Sequence, residues 1–223
     1  MTVMLPTVRP PTNDTEDRLL DAALTLFAEK GYEAASVREI IEATGVTRPV
    51  LYYYCSNKED LFKRIVHWKH DEAYRELGRI VKETKGTANR LRAIIQGSFA
   101  FCAADPRVPR VMFQTHFGPV IPGISDFMAE VAKLRFLVVH QVIQDGLDAG
   151  ELQGGDAASL SLVFCCIMDQ HINVLSRLPK PKERLTPELA DGLVNVFLCG
   201  TGTGKRIRAN LPPFAGDEKA GKG

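Results

Sequence analysis

A chain of 223 residues is long enough for one or two domains with a full hydrophobic core. Hydrophobic residues make up 45% of it and charged residues 25%, which excludes a disordered or fibrous chain. A formal net charge of +1 leaves no overall basic excess to draw a polyanion.

The first stretch, MTVMLPTVRPPTNDTED, carries prolines and acids where a secretory signal would be apolar. Residues 1–13 are therefore expected to form a flexible arm. RLLDAALTLFAEKG then reads as a helix, with Leu20, Ala23, Leu24 and Phe27 on one face and Gly31 as its C-cap. Ser36 followed by Glu39 is a capping box that starts a second helix. Gly45 supplies the positive φ that ends it after about two turns. Thr47 is the next N-cap, and Pro49 falls where a missing N–H is harmless. Helices this short hold only by packing, for which Ile40, Ile41, Val46, Val50 and Leu51 are the expected anchors. Lys58 stands in the first turn of a further helix, capped by Ser56 or Asn57.

Two short helices around a tight turn form a helix-turn-helix, whose second helix enters the major groove of DNA. Arg38, Arg48, Tyr52 and Tyr53 are left outside the apolar set. Arginine can bond guanine with two N–H groups, and a tyrosine hydroxyl can donate to phosphate. Lys58, at a helix N-terminus, offers a cation beside free N–H groups. The first 70 residues hold nine Lys/Arg against ten Asp/Glu, so these groups must act through placement.

Further helices are expected from about Asn57 to Val81, Leu91 to Ala103, Val111 to Phe117, Ser125 to Leu147, Ala157 to Leu178 and Pro187 to Cys199. No segment alternates like a strand, so the fold is expected to be all-α. No apolar run approaches the roughly 18–20 residues that span a bilayer, so no membrane is expected as a partner. The tail after Leu211 is rich in proline, glycine and lysine and is expected to be flexible. Five cysteines without C-x-x-C spacing fit a reduced, cytoplasmic setting. His116, His140 and His171 lack ligand spacing, so no metal or other cofactor is expected. CGTGTGK at Cys199–Lys205 departs from the phosphate-loop pattern at its first and last positions. No nucleophile–base pair or carboxylate dyad has recognisable spacing, so an enzyme is not expected.

Residues 15–62 resemble the N-terminal domain of TetR/AcrR-family transcriptional regulators, through RLLDAALTLFAEKGYEAASVREII, ATGV and LYYYCSNKEDLF. Cys55 departs from the pattern, standing where the family usually carries a large apolar residue. The resemblance implies an all-α chain. Its parts would be an arm (1–13), a three-helix helix-turn-helix domain (14–60), a helical ligand-binding and dimerisation domain (61–204) and a tail (205–223). It implies a recognition helix over Thr47–Tyr53, with a phosphate-contacting tyrosine at Tyr52 or Tyr53 and a phosphate-contacting lysine at Lys58.

The resemblance also implies a homodimer that binds a palindromic double-stranded operator. The stripes Leu160, Phe164, Ile167, Met168, His171 and Leu189, Leu193, Val196, Phe197 stand where the family's dimer helices lie. By spacing alone such stripes could equally be a monomer's core. A small-molecule effector, apolar or amphipathic, would bind in the middle of the chain, with Phe99, Met112, Phe113, Gln114, His116, Phe117, Phe136 and His140 as candidates. Repression is the family's usual outcome. A protein that kept the fold and lost DNA binding is the alternative.

Overall fold

The computed structural model describes residues 13–201. The expected tail, and the expected arm apart from Asn13, lie outside the described residues. Within them the chain is helical, with no strand: α1 (Asp14–Ala34), α2 (Val37–Thr44), α3 (Arg48–Tyr54), α4 (Lys58–Glu83), α5 (Thr87–Ala104), α6 (Arg107–His116), α7 (Ile124–Asp148), α8 (Ala157–Leu175) and α9 (Pro187–Thr201). A single 3-10 turn, Pro181–Glu183, precedes α9. The chain divides into two compact units. One runs up to Arg75 and takes in Asp105–Leu134; the other comprises Glu76–Ala104 and the chain from Arg135 onward. Residues of α4 and α7 belong to both.

The caps in the first unit explain its element boundaries. Asn13 accepts the amide of Glu16 at 3.0 Å and starts α1. Gly31 (φ 80°, ψ 165°) breaks the regular helix before a last turn to Ala34. Ser36 and Glu39 close a reciprocal capping box on α2, and Gly45 ends it at φ 69°. Asn57 accepts the amide of Asp60 at 2.8 Å, and Asp60 accepts that of Ser56 at 2.8 Å, which fixes the start of α4. The hydroxyl of Thr47 makes no capping bond, although its backbone is extended as a cap requires.

The α1 stripe of Leu20, Ala23, Leu24 and Phe27 is buried, together with Leu19 and Ala28. Ile40 of α2 and Leu51 of α3 are fully buried, as are Phe62 and Ile65 of α4. Phe27, Tyr32 and Phe62 form a ring cluster with centroids 5.2–5.7 Å apart. Val50, expected in this core, is instead 37% exposed. Leu51 alone anchors α3, because seven residues present only one inward turn. Cys55 does sit in the core, and its thiol lies 3.5 Å from the carbonyl oxygen of Leu51.

α6 packs along α1. Arg107 donates to Thr25 Oγ1 and Asp21 at 2.7 Å each, and to Asp105 at 2.9 Å. Glu16, 2% exposed, pairs with Arg64, which also donates to the carbonyl of Tyr54 at 2.8 Å. One guanidinium thus joins the start of α1, the end of α3 and the body of α4.

In the second unit α5 packs on α8 and α9. Phe99, Phe164, Met168, Leu193 and Phe197 fill its core, with Phe164 and Phe197 edge to face at 5.2 Å. Gly146 has no room for a side chain, since a Cβ there would lie 2.7 Å from Thr87. Arg90 and Asp145 pair at 2.9 Å, and Glu151 accepts the first-turn amide of Thr87 at 2.8 Å. Contrary to the sequence expectation, α8 is long and apolar enough, by length and composition alone, to span a bilayer. Its Leu160, Phe164, Cys165, Met168, Ile172 and Leu175 are buried inside the unit, as in a core helix.

Burial pushes the thiols of Cys55 and Cys165 up to about 11 and that of Cys102 to about 12. None of these three offers a reactive thiolate near neutral pH. Cys166 and Cys199 are exposed.

The Glu16–Arg64 pair generates a stability prediction. Glu16→Ala leaves a partly buried guanidinium without its carboxylate and should destabilise the protein by about 3 kcal/mol, the lower end for a broken buried pair because Arg64 keeps some water. Urea unfolding of wild type and variant measures this, and a change under about 1 kcal/mol would assign the pair to the weak surface class.

Candidate nucleic-acid interface

α3 buries Leu51, half-buries Tyr54 and turns its other residues outward. Leu51 is fully buried, while Thr47, Arg48, Val50, Tyr52 and Tyr53 are exposed, Tyr53 at 81%. The guanidinium of Arg48 lies 5.8 Å from the ring centroid of Tyr52. Tyr53 packs edge to face on Tyr54 at 5.0 Å. The hydroxyl of Tyr54 bonds the Asn13 side chain at 2.9 Å, tying the end of α3 to the start of α1. The exposed face therefore combines a guanidinium, two phenols, a hydroxyl with no capping bond and a valine. An isopropyl group at this position suits the methyl of thymine. The residue type of Val50 reads as core, and only the burial of Leu51 shows which way the helix faces.

On α2, Arg38 pairs with Glu42 at 2.7 Å, and both side chains are mostly in water. Such a pair is worth little, so the guanidinium can be recruited by a stronger anion. Glu39 is held differently. Lys30 donates to it at 2.5 Å, and Ser36 donates through its backbone N–H and its hydroxyl at 2.9 and 2.8 Å. These bonds hold its carboxyl down at about 2.

Lys58 does not stand free. Its ammonium donates to the carbonyls of Tyr32, Glu33 and Ala35 at 3.0, 3.3 and 3.2 Å, and lies 4.4 Å from the Tyr32 ring centroid. An ammonium has three N–H donors. The expected phosphate-contacting lysine is thus fully engaged by its own chain.

The remaining sequence candidates fall in both units. Met112, Phe113, Gln114, His116 and Phe117 belong to the first, and Phe99, Phe136 and His140 to the second. His116 and Phe117 are exposed, their rings edge to face at 4.9 Å. Phe113 is buried. Gln114 donates to the carbonyl of Ala28 at 3.4 Å, while its buried Oε1 has no partner. Phe99 is a core residue of its unit, and Phe136 and His140 are half-buried with ring centroids 5.9 Å apart. Among the described residues, no group of three or more His, Cys, Asp or Glu could hold a metal ion.

The expected dimer stripes are placed as follows. Leu160, Phe164, Met168, Leu189, Leu193 and Phe197 are buried within the single chain. Ile167 and His171 are half-buried. The exposed apolar side chains are Leu162 (59%) and Val163 (50%) on α8, and Val196 on α9.

A family model described as bacterial regulatory proteins, tetR family, matches residues 19–65, which span α1 to the first turns of α4. The HTH-type transcriptional repressor KstR2 of Rhodococcus jostii is 32% identical over 148 residues, 61% of this chain and 72% of that protein. The chain belongs to the TetR family of bacterial regulatory proteins. Another relative, the HTH-type transcriptional activator FasR of Mycolicibacterium smegmatis, is 30% identical over 109 residues, and the match covers about half the length of either protein. The transcriptional regulator FadR of Bacillus subtilis, solved in complex with stearoyl-CoA, shares the fold with a TM-score of 0.70 at 20% identity, over 82% of this chain and 98% of that one. The TetR-family domain is thus an N-terminal helix-turn-helix, followed by a helical C-terminal region.

The Glu39 carboxyl, lowered from the usual 4.5 to about 2, sets a pH dependence. A lowered folded-state value means a contribution present above about pH 4.5 and lost as pH falls towards 2. The difference in thermal midpoint between wild type and Glu39→Gln should therefore be constant above pH 5 and shrink as the pH approaches 2. A difference that grew with acidification would refute this role for the carboxylate.

Proposed function

We propose that this TetR-family protein is a homodimeric, ligand-responsive repressor that binds an imperfect palindromic DNA operator and is released by a small apolar or amphipathic effector. The observation that carries the DNA reading is the outward face of α3. Thr47, Arg48, Tyr52 and Tyr53, with Arg38 on α2, are the proposed contacts, and Val50 joins them. Arg48 reads a base edge, while Thr47 and the tyrosines bond phosphate or base. The first 70 residues carry nine basic against ten acidic residues, so affinity depends on two copies engaging two half-sites.

The second copy is proposed to dock on α8 and α9 through Leu162, Val163 and Val196. These are large apolar side chains left in water by a unit that buries most others. A twofold contact would cover the same patch on both copies. Repression is favoured by the likeness to KstR2, and the likeness to FasR makes activation the second reading.

An effector shifts the protein between forms only if it binds them unequally. The stearoyl-CoA bound to FadR supports an acyl-bearing, amphipathic effector class. Gln114, with a buried acceptor lacking a partner, is the polar residue proposed to meet it. α4 begins next to the helix-turn-helix and runs for 26 residues, so it is the proposed lever on the spacing of the two recognition helices.

Two measurements test this reading. In a gel shift with DNA from upstream of its own gene, the protein should bind, and Arg48→Ala should cost about 1–3 kcal/mol with relaxed sequence preference. Equal affinity of the variant, or no binding to any genomic fragment, would remove the DNA reading. In sedimentation equilibrium the 24.6 kDa chain should run at twice that mass, and Leu162→Asp combined with Val163→Asp should return it to one protomer. A double variant that stayed dimeric would move the interface elsewhere.

A further inference from the structure

We propose that the second unit holds a site, on the side of α8 that meets Arg135, for an uncharged, largely apolar ligand bearing a hydroxyl group. The inference rests on the effector reading above and names the chemistry of the effector's polar group. A stripe of polar side chains runs along α8. Cys165, Asp169, Asn173 and Ser176 follow one another at spacings of four, four and three residues, so they share one side of the helix. Arg135 of α7 reaches this side and donates to Asp169 at 2.5 Å.

Two atoms of the stripe have no partner within the protein. The hydroxyl of Ser176, a residue only 3% exposed, makes no hydrogen bond, and neither does the buried Oδ1 of Asn173. Ser161, on the same helix, gives its hydroxyl to the carbonyl of Ala157 one turn back, at 2.5 Å. Ser176 gives Ile172 its backbone N–H at 3.0 Å and keeps its hydroxyl. A buried polar atom left unpaired is costly, and a ligand that supplies the bond recovers that cost. Asn173 and Ser176 are neighbours on the helix, with Cβ atoms about 5–6 Å apart, so one small group can reach both.

The surroundings decide the class of ligand. Asp169 already matches the charge of Arg135. An anionic ligand would therefore gain no free charge from the pair and would lie beside a carboxylate. The Cys102 and Cys165 thiols both feel this ion pair, and burial pushes them up to about 12 and about 11, so both stay neutral near neutral pH. Phe99, one turn before Cys102, and Ile172, next to Asn173, are buried apolar residues. The setting is apolar, with a closed ion pair, neutral thiols and two unpaired polar atoms. A hydroxyl both donates and accepts, so it can pair with Asn173 Oδ1 and the Ser176 hydroxyl together. An ester only accepts and would leave Asn173 Oδ1 unpaired.

The test uses the full-length protein and three probes of equal apolar chain: 1-decanol, methyl decanoate and decanoate. Calorimetric titration compares wild type, Asn173→Leu and Ser176→Ala. Wild type should bind 1-decanol at least about fivefold more tightly than methyl decanoate, the factor for one hydrogen bond, and at least about tenfold more tightly than decanoate. Asn173→Leu should abolish the preference for alcohol over ester. Ser176→Ala should weaken alcohol and ester alike, by about fivefold. Neither substitution removes a bond from the unliganded protein, so thermal midpoints should not fall.

No binding of 1-decanol, equal binding of alcohol and ester by wild type, an alcohol preference that survives Asn173→Leu, or a clear fall in both midpoints would overturn the inference. Release of the upstream intergenic duplex by stearoyl-CoA, followed by gel shift, tests the effector reading separately. Release with no alcohol preference in binding overturns the site alone. An alcohol preference lost in Asn173→Leu, with no release by stearoyl-CoA or 1-decanol, upholds the site and overturns the effector reading.

Discussion

The recognition helix has seven residues, and everything that orients it lies outside it. A helix of two turns is unstable in water, so α3 exists only as packed. It reaches the core through Leu51 and is tied at its C-terminal end by two bonds. The Tyr54 hydroxyl accepts from the Asn13 side-chain amide, and the Tyr54 carbonyl accepts from Arg64. Both partners belong to longer helices or their caps. The eight-residue α2 is secured in the same manner, by Ile40 in the core and by the Ser36–Glu39 box at its start. The outward face of α3 is free to carry polar and aromatic groups because one residue and two hydrogen bonds have taken over the structural role.

This division also explains the domain's charge. Four of its cations are already committed within the chain. Arg64 pairs with Glu16, Lys30 with Glu39, Lys63 with Glu59, and Lys58 is held by carbonyls. Among the described residues of α2 and α3, Arg48 and the weakly paired Arg38 remain to meet an external anion. A near-neutral domain with two placed guanidinium groups has little long-range pull on DNA, and its discrimination must come from short-range fit. Any device that fixes the angle of α3 then acts directly on affinity, which gives the connection around Gly31–Ser36 its importance.

The sequence made the element boundaries of this region legible because local chemistry decides them. Ser36 with Glu39, Gly45 and Asn57 cap where their residue types say they should. Thr47 shows the limit of that logic, since its backbone caps α3 while its hydroxyl does not. What stayed illegible depends on three dimensions. Lys58 meets acceptors more than twenty residues away in sequence, and no local pattern encodes that. Val50 and Leu51 are alike in type and adjacent, and only the orientation of a short helix separates them. The α8 and α9 stripes have the spacing of either a core or an interface, and the buried one is the core.

α8 shows why that ambiguity is physical and not a failure of counting. Leu160, Phe164, Met168 and Leu175 fill the unit, and Leu162, Val163 and Cys166 lie on the opposite side of the same helix. A helix that is apolar on both sides has no polar face to mark its outside. Its composition therefore resembles that of a membrane span, although one face is already buried against α5 and α9. Leaving the second face in water would forfeit the burial of two large aliphatic side chains, each worth about 1.5–3 kcal/mol when fully covered. The proposed partner surface would cover this second face. The resulting two-sided apolar composition is what made the inner stripe, when read alone, look like an interface.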